Sequence, residues 1–200
     1  MVYQIRTARV ADAESVLEVY APYVADTTVS FELAVPDAAD YAGRIAEAIE
    51  RYAFLVVERL DDEERHVAGF ASYGPFGHRA AYQWSAEISI YLEADATGRG
   101  VGSELLRCLE DVMRAGGITN SEACICSENS GSIDFHMRHG YRLAGEFDQC
   151  ASKFGRWLGI QWLEKHLADH AKNPDPPKAP DPDAVESAIL AANARLARLP

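Results

Sequence analysis

The chain has 200 residues, nearly half of them hydrophobic, and carries 31 acidic against 19 basic side chains for a formal charge of -12. That length suits one domain with a remainder, and the acidity excludes sequence-independent binding to nucleic acid, which needs clustered cations. Met1 to Arg6 form no apolar leader, and no stretch approaches the roughly 18 apolar residues of a membrane span. The reading is a soluble cytoplasmic protein.

Gln4 to Ala8 reads as a first strand, and Asp12 as the N-cap of a helix with Val16, Leu17, Tyr20, Tyr23 and Val24 at helical spacing. Thr27 to Glu32 is β-branched and extended. Pro36-Asp37 opens a second helix with Tyr41, Ile45, Ala48 and Ile49 inward. Phe54 to Val57 and Val67 to Tyr73 form a hairpin around the charged tip Asp61 to Arg65, and Gly74 to Arg79 breaks the second strand into a loop. From Trp84 to Leu92 apolar residues alternate with Ser85, Glu87, Ser89 and Tyr91, the period of a half-buried strand. Leu105, Leu106, Leu109, Val112 and Met113 then fall at helical spacing. Cys124 to Cys126 is a strand, Asn129 to Ser132 opens a short helix that Gly140 ends, and Tyr141 to Glu146 and Trp157 to Lys165 are the last strands. Cys108, Cys124, Cys126 and Cys150 read as buried free thiols: there is no second cysteine cluster or histidine pair to complete a metal site. The order βααβββαβαββ implies an α/β domain, a mixed sheet with helices on both faces.

Near Ala168 the composition changes. Five prolines between Asn173 and Asp183 mark a stiff, extended linker. Asp183 to Glu186 resembles a capping box, and Val185, Ile189, Ala192, Leu196 and Leu199 form a narrow apolar seam. A lone helix of that length is marginal in water, so it is expected to dock, on its own domain or on a neighbouring subunit. The expected division is a domain over 1–168, a linker over 169–183 and a helix over 184–200.

Where the Glu87 strand becomes a helix stand Thr97-Gly98-Arg99-Gly100-Val101-Gly102. Glycines let an anion approach the backbone, and a helix N-terminus offers free N–H groups with a partial positive charge. The plainer alternative is a glycine turn with a solvated arginine. A Walker loop would need Gly-Lys-Ser/Thr, and a dinucleotide fingerprint a different glycine spacing. What remains resembles the pyrophosphate loop of the GCN5-related N-acetyltransferases (GNAT), whose pattern is Arg/Gln-x-x-Gly-x-Gly/Ala; Thr97 departs from it by removing one donor. Thr28-Val29-Ser30-Phe31-Glu32, Gly74-Pro75-Phe76 with Arg79 to Tyr82, Glu87 to Tyr91, Ser132 to Tyr141 and Lys153-Phe154-Gly155-Arg156-Trp157-Leu158 resemble the phosphinothricin and methionine sulfoximine acetyltransferase branch.

The resemblance implies a GNAT fold, with a splayed strand pair holding acetyl-CoA as co-substrate and no metal. It implies acetylation of the α-amine of a small amino acid or analogue by direct attack. Glu87 becomes the base, directly or through a water, in place of an ordinary strand glutamate in a surface salt bridge. His136, where the wider family has a tyrosine, becomes the acid for the leaving thiolate or a base. Ser89, Ile90 and Tyr91 would hold the thioester; Arg99, Gly100, Val101, Gly102 and Ser103 the pyrophosphate; Asn129 and Ser132 the pantetheine arm. His139 reads as structural. Phe31, Glu32, Arg79, Tyr82 and Tyr91 would shape the acceptor pocket, Arg79 pairing with an anion, while Lys153 would serve the acceptor or the loop. The branch implies a homodimer. Gly77 and Gly159 replace the branch's arginine and aspartate; the first change lowers the expected affinity for doubly anionic phosphinothricin. Two other readings stand beside this one: a protein or peptide N-acetyltransferase, and a decayed CoA-binding module.

Overall fold

The computed structural model describes residues 2–61 and 64–199. One seven-stranded sheet runs in the order β1-β2-β3-β4-β5-β7-β6. Its strands are β1 Val2–Thr7, β2 Ala53–Asp61, β3 Glu64–Pro75, β4 Ser85–Leu92, β5 Asn120–Cys126, β6 Arg142–Lys153 and β7 Arg156–His166. The helices are α1 Ala13–Asp26, α2 Ala38–Arg51, α3 Val101–Ala115, α4 Ser130–Arg138 and α5 Pro182–Leu196. This is the mixed sheet the sequence implies, with helices on both faces. Every neighbouring pair is antiparallel except β4 and β5.

The alternation in β4 is used on both sides. Ala86, Ile88, Ile90 and Leu92 join the core under α3 and α5, built on Leu105, Leu106, Leu109, Val112 and Met113. Tyr91 packs into a second core under α1 and α2, with Val16, Tyr20, Ile45 and Phe70. Glu87 and Ser89 share that second face, opposite Gly74 and Ser72 of β3.

Several sequence expectations change in detail. Asp12 is the N-cap residue of α1, as expected, but its side chain makes no cap bond there; it accepts from Arg6 and from the Arg9 amide at a short 3-10 turn. Thr27 to Glu32 forms no ladder, because its polar groups close local bends: the Val29 amide on Thr27 Oγ1 and the Glu32 amide on Ser30 Oγ. Ile49 is exposed, since α2 turns only Tyr41 and Ile45 fully inward. Gly74 and Pro75 remain in β3. Of the four free cysteines, Cys108 and Cys126 are buried but Cys124, which lines the cleft described below, and Cys150 are exposed. β6 runs well past Glu146; a register shift between Phe147 and Ala151, with Gln149 at φ 49°, hides the strand's period in the sequence. Asp62 and Glu63 of the charged tip lie outside the described residues.

The C-terminal helix docks on its own chain. It starts at Pro182 with Asp181 as N-cap, two residues before the expected capping box. Ala188, Ala192 and Leu196 are buried in the core under α3, and Asn193 both accepts from the Ile5 amide and donates to the Ile5 carbonyl on edge strand β1. The segment before it lies along the body: the Trp84 indole donates to the Asp175 carbonyl and the Lys178 amide to the Gly116 carbonyl.

Lys153 ties the α1–α2 connection to the end of β6. Its ammonium, 5% exposed, donates to the Val24 and Ser30 carbonyls at 2.7 Å each. Lys153→Met leaves both carbonyls without that donor and is expected to cost roughly 3 kcal/mol. Urea unfolding of the variant against the parent measures it, and a loss under about 0.5 kcal/mol contradicts the assignment.

Candidate functional site

β4 and β5 pair only from Ser85 to Glu87 with Asn120 to Glu122. Beyond that point β5 stays with β7 along its whole length, while β4 stays with β3. The two parallel strands therefore part at Glu87. Every second backbone N–H of β4 past this residue loses its ladder partner and faces the gap. The gap opens into a cleft of about 880 Å³, at the upper end of the roughly 300–1,000 Å³ typical of small-molecule sites.

One end of the cleft is walled by Thr97, Gly98, Gly100, Gly102 and Ser103. Gly100 has φ 82°, a conformation strained for any other residue. The first helical bond of α3 runs from the Glu104 amide to the Gly100 carbonyl, so the amides of Val101, Gly102 and Ser103 precede it. They form a cradle that fits an anion such as the pyrophosphate of CoA. Arg99 takes no part in the wall; it is exposed and its Nε donates to the Asp95 carbonyl at 2.6 Å. Opposite, the N-terminus of α4 presents Asn129, Gly131 and Ser132. Asn129 Oδ1 accepts from the Ser132 amide, capping α4, which leaves its NH₂ for a pantetheine carbonyl.

Glu87 lines the cleft beside Ser89, Ile90 and Tyr91. Among the described residues its carboxylate has no hydrogen-bond or ion-pair partner, and burial alone raises its pKa above the usual carboxylate range. His136 faces the same cleft and is 2% exposed. Its Nδ1–H donates to the Ser132 carbonyl at 2.8 Å, which fixes the tautomer: Nε2 carries a lone pair, buried and without a partner among the described residues. Burial lowers the His136 pKa to about 4, so the ring is neutral near pH 7 and Nε2 can accept a proton but has none to give. His139 also lines the cleft, with Nδ1–H donating to the Phe135 carbonyl.

A second cavity of about 460 Å³ reaches Glu87 from the α2 side. It exists because Ser72, Gly74 and Ser89 put little bulk on that sheet face. Tyr41, Arg44 and Ala48 of α2 stand over it, and Tyr20, Glu32, Glu87, Ser89 and Tyr91 line both cavities. Arg44 is the one cation among its lining residues, paired with Glu32 and Asp40. Sequence reasoning placed Tyr41 in the core only and passed over Ser72 and Arg44; the signal was the small residues Ser72 and Gly74 at alternate positions of a strand otherwise bearing Phe70.

Of the expected acceptor residues, Phe31, Glu32 and Tyr91 meet at the cleft. Arg79 and Tyr82 do not line either cavity: Arg79 is exposed, and Tyr82 packs edge-on against Phe76. Lys153 is committed to the loop carbonyls. Glu87 and Tyr91 thus sit where both cavities meet, while Arg79, Tyr82 and Lys153 stand away from them.

The chain matches the model of the acetyltransferase (GNAT) domain over residues 5–162. It is 35% identical to the L-methionine sulfoximine/L-methionine sulfone acetyltransferase of Pseudomonas paraeruginosa, covering 82% of this chain and 94% of that one. It is 32% identical to the L-amino acid N-acyltransferase MnaT of Escherichia coli, over 86% and 97% of the two chains. A GNAT phosphinothricin acetyltransferase of Sinorhizobium meliloti, solved with acetyl-CoA, superposes at a TM-score of 0.79 with 30% identity, over 92% of this chain and 97% of that one. This chain belongs to the GNAT acetyltransferase family and is an acetyl-CoA-dependent N-acetyltransferase.

Proposed function

We propose that the enzyme acetylates the α-amine of a small amino acid or amino-acid analogue with a neutral side chain. The observation that carries this is Glu87, an unpaired carboxylate at the point where β4 leaves β5 and where two cavities meet. Acetyl-CoA supplies the acetyl group as a thioester, and its pyrophosphate would lie on the amides of Val101, Gly102 and Ser103. The acceptor would enter from the α2 side, its ammonium against Glu87 and Ser89 and its side chain among Phe31, Tyr20 and Tyr91. Glu87 takes the ammonium proton, directly or through a water; its raised pKa makes it a stronger base than a solvated carboxylate. The freed amine forms the N–C bond as the C–S bond breaks, and the second proton that the nitrogen loses on becoming an amide goes to the departing thiolate, giving the CoA thiol. The β4 amides facing the gap stabilise the carbonyl oxygen as it gains charge. His136 Nε2 is a second proton acceptor on the opposite wall, not the donor to the departing thiolate.

The relatives act on methionine sulfoximine and sulfone, on phosphinothricin and on L-amino acids, as their names state. Charge separates these acceptors for this chain. Glu32, Glu47 and Glu87 outnumber Arg44 among the residues lining the second cavity. A phosphinate side chain meets repulsion there; a sulfone does not.

A homodimer working in the cytoplasm completes the reading. β6 is an edge strand, and the β6–β7 hairpin exposes Leu143, Phe147, Phe154 and Trp157, the last by 65%. Large apolar side chains gathered along an unpaired edge suit a second copy of the chain. The four free cysteines suit a reducing compartment, and among the described residues no helix is long and apolar enough to cross a membrane.

The direct test is CoA thiol release from acetyl-CoA against methionine sulfone, methionine sulfoximine, phosphinothricin, free L-amino acids and a lysine peptide. The sulfone or neutral amino acids should exceed phosphinothricin in kcat/KM; release with the peptide alone would overturn the proposal. Glu87→Gln should lower kcat by about 10²–10³. It should also flatten the acid limb of the pH profile, which in the parent falls as Glu87 protonates above the usual carboxylate range; an unaltered limb would remove Glu87 as base.

Stability reports on His136. Its folded pKa of about 4 lies below the unfolded value near 6.5, so the unfolded chain binds the extra proton between these values. Stability from this residue is complete above about pH 6.5 and lost as pH falls towards 4, by about 3 kcal/mol in all. His136→Gln should reduce that slope, read by urea unfolding at pH 7.5 and 5; identical slopes would mean the parent's imidazole is not buried neutral. Sedimentation tests the dimer: Trp157→Glu with Phe147→Glu should yield monomers, and an unchanged sedimentation coefficient would place the interface elsewhere.

A further inference from the structure

We infer that the C-terminal segment is a strap that sets the pyrophosphate turn, with Arg195 and Leu199 as positioning residues for acetyl-CoA. The matched family domain ends at residue 162, so this strap lies beyond the part that defines the family.

The strap grips α3 at both ends. At the C-terminal end, the Lys178 amide donates to the Gly116 carbonyl at 3.0 Å, and Pro180 and Pro177 lie against Gly116 and Gly117. At the N-terminal end, Arg195 Nε donates to Glu104 Oε2 at 2.5 Å, while Arg107 takes Glu104 Oε1 at 2.6 Å. Glu104 is the residue whose amide makes the first helical bond, to Gly100. Leu199 lies on Gly100 itself: both its methyl carbons fall 3.1 Å from where a Cβ on that glycine would stand. Between these ends Asn193 fixes α5 to β1, and Ala192 and Leu196 are buried against α3.

The turn needs such support for a physical reason. Glycine at positive φ gives the turn its shape but little stiffness. Thr97 stands where relatives of the pattern carry a cation or amide, and Arg99 is turned to the Asp95 carbonyl. The grip on the pyrophosphate therefore falls on backbone amides, which act only when aimed correctly. A displacement of about 1 Å can cost up to a hundredfold in such an arrangement.

This inference rests on the pyrophosphate lying at the Gly98–Gly102 turn, as proposed above. The test compares Arg195→Met, Leu199→Ala and the exposed control Leu190→Gln in the full-length chain, with two donors. Acetyl-CoA has the pyrophosphate and S-acetylpantetheine lacks it. Arg195→Met and Leu199→Ala should each raise KM for acetyl-CoA roughly tenfold, with kcat held within about twofold and KM for S-acetylpantetheine unchanged. The Leu190 variant should match the parent. Unchanged KM for acetyl-CoA would overturn the inference, and so would an equal rise for both donors, which marks general loosening. A parent that does not itself favour acetyl-CoA over S-acetylpantetheine would instead overturn the placement of the pyrophosphate.

Discussion

A parallel strand pair in the middle of a sheet ordinarily keeps its ladder, because each buried amide left without a partner costs about as much as a lost hydrogen bond. Here β4 and β5 share three residue pairs and then separate, and the rest of the site follows from that separation. β5 is held by β7 over its full length. β4 is held by β3 and pulled towards the α1 side by Tyr91, whose ring packs edge-on against Tyr20 and Tyr23. The Tyr23 hydroxyl donates to the Leu92 carbonyl, so the last group of β4 is capped by a helix where a neighbouring strand would otherwise stand. The opened backbone is thus maintained by packing on either side, not by the gap itself.

The break also decides what Glu87 can be. Two residues earlier it would face a strand pair still closed by hydrogen bonds; two residues later it would stand where the strands are already wide apart. At the last paired position it is half-buried, has no cation beside it among the described residues, and is reached from both cavities. A glutamate in a surface pair would have a lowered pKa, whereas burial raises this one. His136 shows the opposite use of the same environment. Burial holds it neutral, and the Ser132 carbonyl takes its only proton, leaving one acceptor nitrogen facing the cleft.

Much of this was legible in the sequence, for identifiable reasons. The change of period between Leu92 and Leu105 announced a strand–turn–helix, and the glycines marked its turn. The element order followed from periodicity together with the cap and turn residues between segments. Long-range partners were not legible. Lys153 is 123 residues from Ser30, whose carbonyl it holds, and a lysine in a charged hairpin looks the same whether it meets a ligand or a loop. Arg44 and Ser72 belong to a cavity defined by what is missing from a sheet face, and no local pattern reports a hole between two elements distant in sequence. The bulged half of β6 was hidden because its register shift breaks the alternation that would have marked it.

An acidic protein that binds a polyanion poses an electrostatic problem, and the proposed pyrophosphate site would resolve it with dipoles. Clustered cations would attract CoA over long range but are strongly screened at physiological salt; they would also draw in other phosphates. Amides at a helix N-terminus act at contact distance and discriminate by geometry. The consequence is mechanical. A site built on cations tolerates movement because Coulomb energy varies slowly with distance, while one built on directed N–H groups depends on the helix that carries them. In this chain that helix has its N-terminus tied by Arg195 and Leu199 and its C-terminus by the proline-rich segment. The sheet's break opens the cleft, and in the proposed reading the position of α3 sets where in that cleft the thioester would rest.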